Sequence, residues 1–347
     1  MIGMLIGNPA YPTYQVFLAV LISALITGLA MPLFIRFMKS GGIGQQIRAD
    51  GPQRHLVKQG TPTMGGLIML LAVAATSVIM APWTPDLACA MGAMLITGSL
   101  GLLDDIESVA HKRSLGLTPS QKMVGLVTIA VVFCLGVVNW AGLPPVVRFP
   151  GGFTIDLGVL TTTLGAGPGA IRIPWLYVIF VVLLMAGLSN AVNLTDGLDG
   201  LAGGTVLMAM LGMGMVAFRY GELSLAIFAA AIAGACIGFL WHNCYPASIF
   251  MGDTGSLALG AAFAACAVLT KTEVTSLVMG GLFVVEALSV IIQVVSFKLT
   301  GKRVFLMSPI HHHFEKKGWS ENKVVIRFWI ISAAFVALGF ALYFQLR

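Results

Sequence analysis

Five carboxylates stand where an apolar chain should have none. Asp104 and Asp105 are adjacent, Asp196 and Asp199 share a short stretch with Asn190 and Asn193, and Asp253 lies between Gly252 and Gly255. All five sit at the ends of apolar segments, out of 14 acidic residues in the whole chain. An ionisable group kept at or inside a bilayer is costly, so it marks function by default. Neighbouring acids such as Asp104 and Asp105 need a cation, a lysine or a shared proton near an apolar wall. A solvated helix end would also hold them, although acids at a helix C-terminus oppose its dipole.

The 190–200 stretch spaces Asn190 from Asn193, and Asp196 from Asp199, by three residues, so neighbouring members can share a helix face. Gly197 and Gly200 permit close approach of a ligand to the backbone. The competing reading is an Asx-rich turn with N-capping. Asp253 can cap the helix that follows it, or can bind a hard cation such as Mg²⁺ beside helix N–H groups that suit phosphate. These two roles are compatible. His311, His312 and His313 are consecutive, so they cannot all point one way, which argues against a three-His zinc site. Their imidazoles can instead donate to phosphate or orient a carboxylate. Lys58 and Lys122 are basic groups expected at membrane level, where simple anchoring also places lysines. Glu286, inside an apolar run, reads as a buried acid with a polar partner and no assigned role.

The elements that position these groups are membrane helices. The 347 residues are 58% hydrophobic and 10% charged, with a mean hydropathy of +0.93. Such a balance excludes an ordinary soluble domain. About 20 apolar residues are needed per span, and ten candidates follow: 16–38, 64–82, 87–103, 122–141, 174–190, 201–218, 223–241, 255–270, 276–298 and 324–344. These runs are continuously apolar, unlike the alternating strands of a membrane β-barrel. The expected fold is therefore an all-α polytopic membrane protein of about ten transmembrane helices, residues 1–347 forming a single integral membrane domain. The 142–173 loop is expected to hold one short outer β-hairpin, flanking Pro150, Gly151 and Gly152, with 161–169 as loop.

Residues 1–15 contain no Lys or Arg, whereas Arg36 and Lys39 follow the first apolar run, which reads as an anchor rather than a cleaved signal. With both termini outside, 15 of the 20 basic residues fall on the inner side and 5 on the outer. That division obeys the positive-inside rule. It also gathers the acid motifs, the 241–256 segment and all six histidines on the cytoplasmic face. The five cysteines form no CxxC pair and mostly lie within apolar runs, which points to packing rather than disulfides or zinc.

On these residues the chain resembles the phospho-N-acetylmuramoyl-pentapeptide-transferase family, within the polyprenyl-phosphate N-acetylhexosamine-1-phosphate transferases. The resemblance rests on segments 60–66, 101–105, 190–200, 246–257 and 309–315 with Gly318 and Trp319, in that order along almost the whole chain. The triple His separates this family from relatives that transfer N-acetylglucosamine phosphate. The resemblance implies transfer of phospho-MurNAc-pentapeptide from UDP-MurNAc-pentapeptide to undecaprenyl phosphate in the bacterial plasma membrane, giving lipid I and UMP with Mg²⁺ as cofactor. It implies Asp253 as the metal ligand and Asp104 and Asp105 at the reacting phosphates. His311, His312 and His313 would complete the catalytic wall. Lys58, Lys122, Asn190, Asn193, Asp196, Asp199, Asn243 and Phe250 would bind substrate. Membrane lipid surrounds such an enzyme, a homodimer is an allowed assembly, and no nucleic acid is expected. His242 departs from the family pattern, which has an aromatic residue there. Two other readings stay open: an N-acetylglucosamine-1-phosphate transferase, and an ion-coupled transporter, which would place its acids near the bilayer midplane.

Overall fold

The computed structural model describes residues 12–41, 60–111 and 116–346. Ten apolar helices dominate these residues, nine of them long enough to cross a bilayer. In chain order they are α1 (Thr13–Ser40), α2 (Gly65–Met80), α3 (Pro85–Ala110), α4 (Pro119–Asn139), α5 (Trp175–Thr195), α6 (Leu201–Tyr220), α7 (Leu223–Asn243) and α8 (Gly252–Leu269). A short α9 (Glu273–Met279), then α10 (Gly281–Thr300), a short α11 (Ile310–Lys316) and α12 (Glu321–Tyr343) complete the series. The shortest of the ten is α2, with 16 residues.

Two expected boundaries shift. The run expected at 276–298 is two helices, α9 and α10, broken at Gly280. The Gly280–Gly281 pair has poor helix propensity, and a Cβ at either position would meet the rings of Phe263 or Phe335. The run expected to end at 103 continues to Ala110, so Asp104 and Asp105 lie inside α3 rather than at its end.

Helices α7 and α8 form the core and are buried along nearly their whole length. Helices α1, α3, α5 and α6 surround them, and α12 packs against α6. With no hydrophobic drive between helices in lipid, close approach depends on small residues. Gly66 meets Gly255 where α2 crosses α8, and Gly234 meets the Val20 carbonyl where α7 crosses α1. A side chain at either position would hold the backbones apart. His242, the departure from the family pattern, faces α1 and lies 3.1 Å from the Gly28 carbonyl.

The expected hairpin forms: β1 (Val146–Arg148) pairs antiparallel with β2 (Thr154–Asp156), Val147 opposite Ile155. A second hairpin occupies what reads as loop, with β3 (Thr161–Leu164) pairing β4 (Ile171–Pro174). The Gly and Pro at its tip hide a β-branched threonine run that favours strand. Asn139 at the end of α4 brackets Arg172, accepting from its N–H at 2.7 Å and donating to its carbonyl at 2.9 Å. All five cysteines are free.

Candidate functional site

The carboxylates of α3 reach α8 because Gly101, one turn before Asp104, lies against the backbone of Asp253. Any Cβ there would collide with the Asp253 carbonyl. Asp105 then acts as a cap in trans. The start of α8 has no side-chain cap of its own, and the two Asp105 oxygens accept from Asp253 N (3.0 Å), Thr254 N (2.9 Å) and Thr254 Oγ1 (2.6 Å). These satisfy helix N–H groups that would otherwise be orphaned. Gly252 precedes them at φ +75°, a left-handed conformation that glycine adopts freely, and a Cβ there would strike Asp105.

Asp104 and Asp253 converge on one cation. Thr118 and Gln121 form a capping box at the start of α4, with Pro119 in its first turn. That fixed start directs Lys122 between the acids: its Nζ lies 3.2 Å from Asp104 Oδ1 and bonds Asp253 Oδ2. Asp104 also accepts from Leu117 N at 2.8 Å. On the other side, Asn193 Nδ2 donates to Asp253 Oδ1 (2.7 Å) and contacts Ser256 Oγ (2.9 Å). One ammonium thus pairs with two carboxylates, and the nearest oxygens of Asp104, Asp105 and Asp253 lie within 4.8 Å of one another.

Asp196 faces the same cluster from the end of α5. Burial pushes its carboxyl up to about 8, and the charges of Asp253, Asp105 and Asp199 push it the same way. The clustered carboxylate oxygens of Asp104, Asp105 and Asp253 are the hard donors that fit a divalent cation of the Mg²⁺ type.

The remaining expected residues divide sharply. Asp199 is buried and accepts from Ala247 N at 3.0 Å, while its own N–H donates to Glu321 Oε1 at 2.9 Å. Asn243 is also buried, accepting from Gly200 N (2.9 Å) and donating to the Ile249 carbonyl (2.8 Å). Both side chains therefore shape the loops around the cleft. Phe250 is half-buried, and its backbone bonds Pro62 and Gly65. Asn190 donates back to its own helix at Ala186. Lys58 lies outside the described residues.

The three histidines on α11 point three ways, as consecutive residues must. His311 is completely buried and sits against Gly197 and Glu286. His312 Nδ1 pairs with Glu315 at 2.7 Å, and His313 Nδ1 accepts from Leu306 N at 3.1 Å. Sequence reasoning missed Thr254 and Ser256, although both hydroxyls flank Asp253 and were open to notice. It also missed Glu321, whose partner lies 122 residues away.

Known proteins resemble this chain over most of its length. The family model of glycosyl transferase family 4 matches residues 87–271. Phospho-N-acetylmuramoyl-pentapeptide-transferase of Geobacillus kaustophilus (strain HTA426) is 45% identical over 333 residues, 94% of this chain and 98% of its own. The protein of the same name from Shouchella clausii (strain KSM-K16) is 47% identical over 312 residues, covering 89% and 91%. The one from Rubrobacter xylanophilus (strain DSM 9941 / JCM 11954 / NBRC 16129 / PRD-1) is 44% identical over 331 residues, covering 95% and 98%. A match of this length and identity, running through every helix that builds the acid cluster, makes the chain a member of the phospho-N-acetylmuramoyl-pentapeptide-transferase family.

Proposed function

We propose that this chain transfers phospho-MurNAc-pentapeptide from UDP-MurNAc-pentapeptide to undecaprenyl phosphate, forming lipid I and releasing UMP on the cytoplasmic face of the bacterial plasma membrane. The observation that carries the reading is the convergence of Asp104, Asp253, Lys122 and Asn193 in one cleft at the end of the helices, in a chain whose relatives bear the transferase's name. An N-acetylglucosamine-1-phosphate transferase is disfavoured by those names. A transporter is disfavoured by the same relatives and by the family match.

Phosphoryl transfer is mostly positioning and charge neutralisation. A lipid phosphate oxygen forms the new bond to the sugar-bearing phosphorus of the donor, and the bond to the bridging oxygen breaks as UMP leaves. The acceptor brings its own charged nucleophile, so no protein nucleophile is required. Lys122, between Asp104 and Asp253, is placed to offset repulsion between the two anionic substrates. Asp253 and Asp104 would hold Mg²⁺, which when bound supplies a clamp for the diphosphate and its developing charge. Asp105 contributes by fixing the helix start that carries Asp253.

We assign the acceptor's hydrocarbon to a groove beside the histidine-bearing helix. An apolar groove of about 470 Å³ runs between α10, α11 and α12, lined by Leu282, Val285, Ile310, Phe314, Phe328 and Phe335. Ile310 and Phe314 bracket the histidines on the same helix, so the groove and the polar wall are two faces of one element.

Single-turnover measurement with labelled UDP-MurNAc-pentapeptide tests the reading. UMP should appear only when undecaprenyl phosphate is present, and no label should remain on the protein. A stoichiometric UMP burst without lipid, with label retained at an aspartate, would instead establish a covalent intermediate. Absence of UMP in both conditions would remove the transferase assignment.

A further inference from the structure

Glu286 lies in the second turn of α10, completely excluded from solvent. Neither of its carboxylate oxygens has an aligned hydrogen-bond partner among the described residues, and the same holds for both ring nitrogens of His311. The nearby Ser289 hydroxyl is spent on the Glu286 backbone carbonyl at 2.7 Å. What remains is each other: His311 Nδ1 lies 3.1 Å from Glu286 Oε1, with both side chains fully buried. A buried acid without compensation costs several kcal/mol, so this pairing is what makes either group tolerable in an apolar bundle.

The other edge of the His311 ring settles what the pair does. Its Nε2 abuts Gly197 so closely that a Cβ on Gly197 would overlap the imidazole. Gly197 directly follows Asp196, in the loop that joins α5, bearing Asn193, to α6. Two other bonds hold this loop from α12: Glu321 Oε1 accepts from Asp199 N, and Trp329 Nε1 donates to the Gly200 carbonyl at 3.2 Å. His311 supplies a further support beside those from Asn243 and Ala247, and Glu286 supports His311.

We propose that Glu286 is a positioning residue for the transfer reaction, fixing His311 from within the membrane helix so that the ring fixes the Asp196–Gly197 segment beside Asn193. His311 accordingly acts as a buttress, and Glu286 acts only through it. This inference rests on the transferase reading, in which that segment faces the donor diphosphate.

The test is a double-mutant comparison of E286Q, H311N and E286Q/H311N in full-length enzyme in detergent. Steady-state KM for both substrates, calorimetric Kd for UDP-MurNAc-pentapeptide and thermal melting are the readouts. E286Q should raise KM and Kd for the donor about tenfold, as loss of a supporting partner commonly does, and leave KM for undecaprenyl phosphate unchanged. E286Q/H311N should be no worse than H311N alone. Wild-type donor KM and Kd in E286Q would overturn the proposal, as would multiplying effects of the two substitutions or a change in melting alone. Should E286Q not fold, E286D, which keeps the acid but withdraws it from His311 Nδ1, must show the same donor-specific rise; wild-type values there would equally overturn it. A wild-type enzyme that neither binds the donor nor releases UMP would fail the transferase reading instead, and would sink the proposal with it.

Discussion

Asp104 and Asp105 are neighbours in sequence with different work to do. Asp105 spends both oxygens on the first N–H groups of α8, whereas Asp104 faces the Lys122 ammonium and accepts from Leu117 N. Asp105→Ala should therefore lose about 2 kcal/mol, the upper range for a lost helix cap, and melt earlier. Asp104→Asn should lower turnover with melting close to wild type. Paired melting and UMP-release measurements decide this, and a reversed pattern would exchange the two roles. Asp253 combines both environments, bonding Lys122 and Asn193 at the mouth of the cluster. Asp253→Asn is expected to abolish turnover while the protein stays folded, and near-normal activity at ordinary Mg²⁺ would exclude it as the principal ligand.

The helices are held at both ends by polar devices, and the one remote from the acid cluster is Lys271 with Glu273 and Tyr177. Lys271 Nζ donates to Tyr177 Oη at 2.6 Å, lies 3.9 Å from Glu273 and reaches the Val146 carbonyl at 3.5 Å, joining α9 and α5 to the first hairpin. Burial raises the Glu273 carboxyl from 4.5 to about 7, with Lys271 opposing part of the rise. The folded state therefore holds this proton more tightly than the unfolded one. Its contribution to stability is complete below pH 4.5 and is lost as pH rises through about 7. Glu273→Gln should flatten the decline in melting temperature across that window, and an unchanged slope would show that the decline comes from other groups. Donor KM should be unaffected, because the substituted group lies at the opposite end of α8 from Asp253.

The whole molecule places its two hairpins at one end of the helices and its acid cluster, with α11, at the other. We propose its orientation from charge: the sequence division of 15 basic residues to 5 assigns the acid cluster to the cytoplasmic side. In a Cys244→Ser background, which removes the exposed native thiol, Thr162→Cys should react with an impermeant reagent added to intact cells. Lys316→Cys should react only after permeabilisation. Labelling of position 316 from outside would invert the topology and move the proposed site away from the cytoplasm.

Sequence alone determined that this is a helical membrane protein, which motifs are candidates for its chemistry and which family they resemble, because hydropathy and acid motifs are local properties. It located the nine long spans, with ends off by up to seven residues, and the first hairpin, and it grouped Asn193 with Asp196 and Asp199 but not with Asp253, to which it bonds. Only the tertiary structure decided which acids are free and which are committed. Asp105 caps a helix that begins 147 residues later, Asp199 and Asn243 bind backbone, and His311 faces Gly197 and Glu286. The break at Gly280 and the second hairpin were likewise settled by packing and pairing partners distant in sequence. The physical reason is the same throughout. A carboxylate's type announces that it needs partners in an apolar medium, but which N–H, ammonium or imidazole satisfies it depends on which helices the small residues let come close.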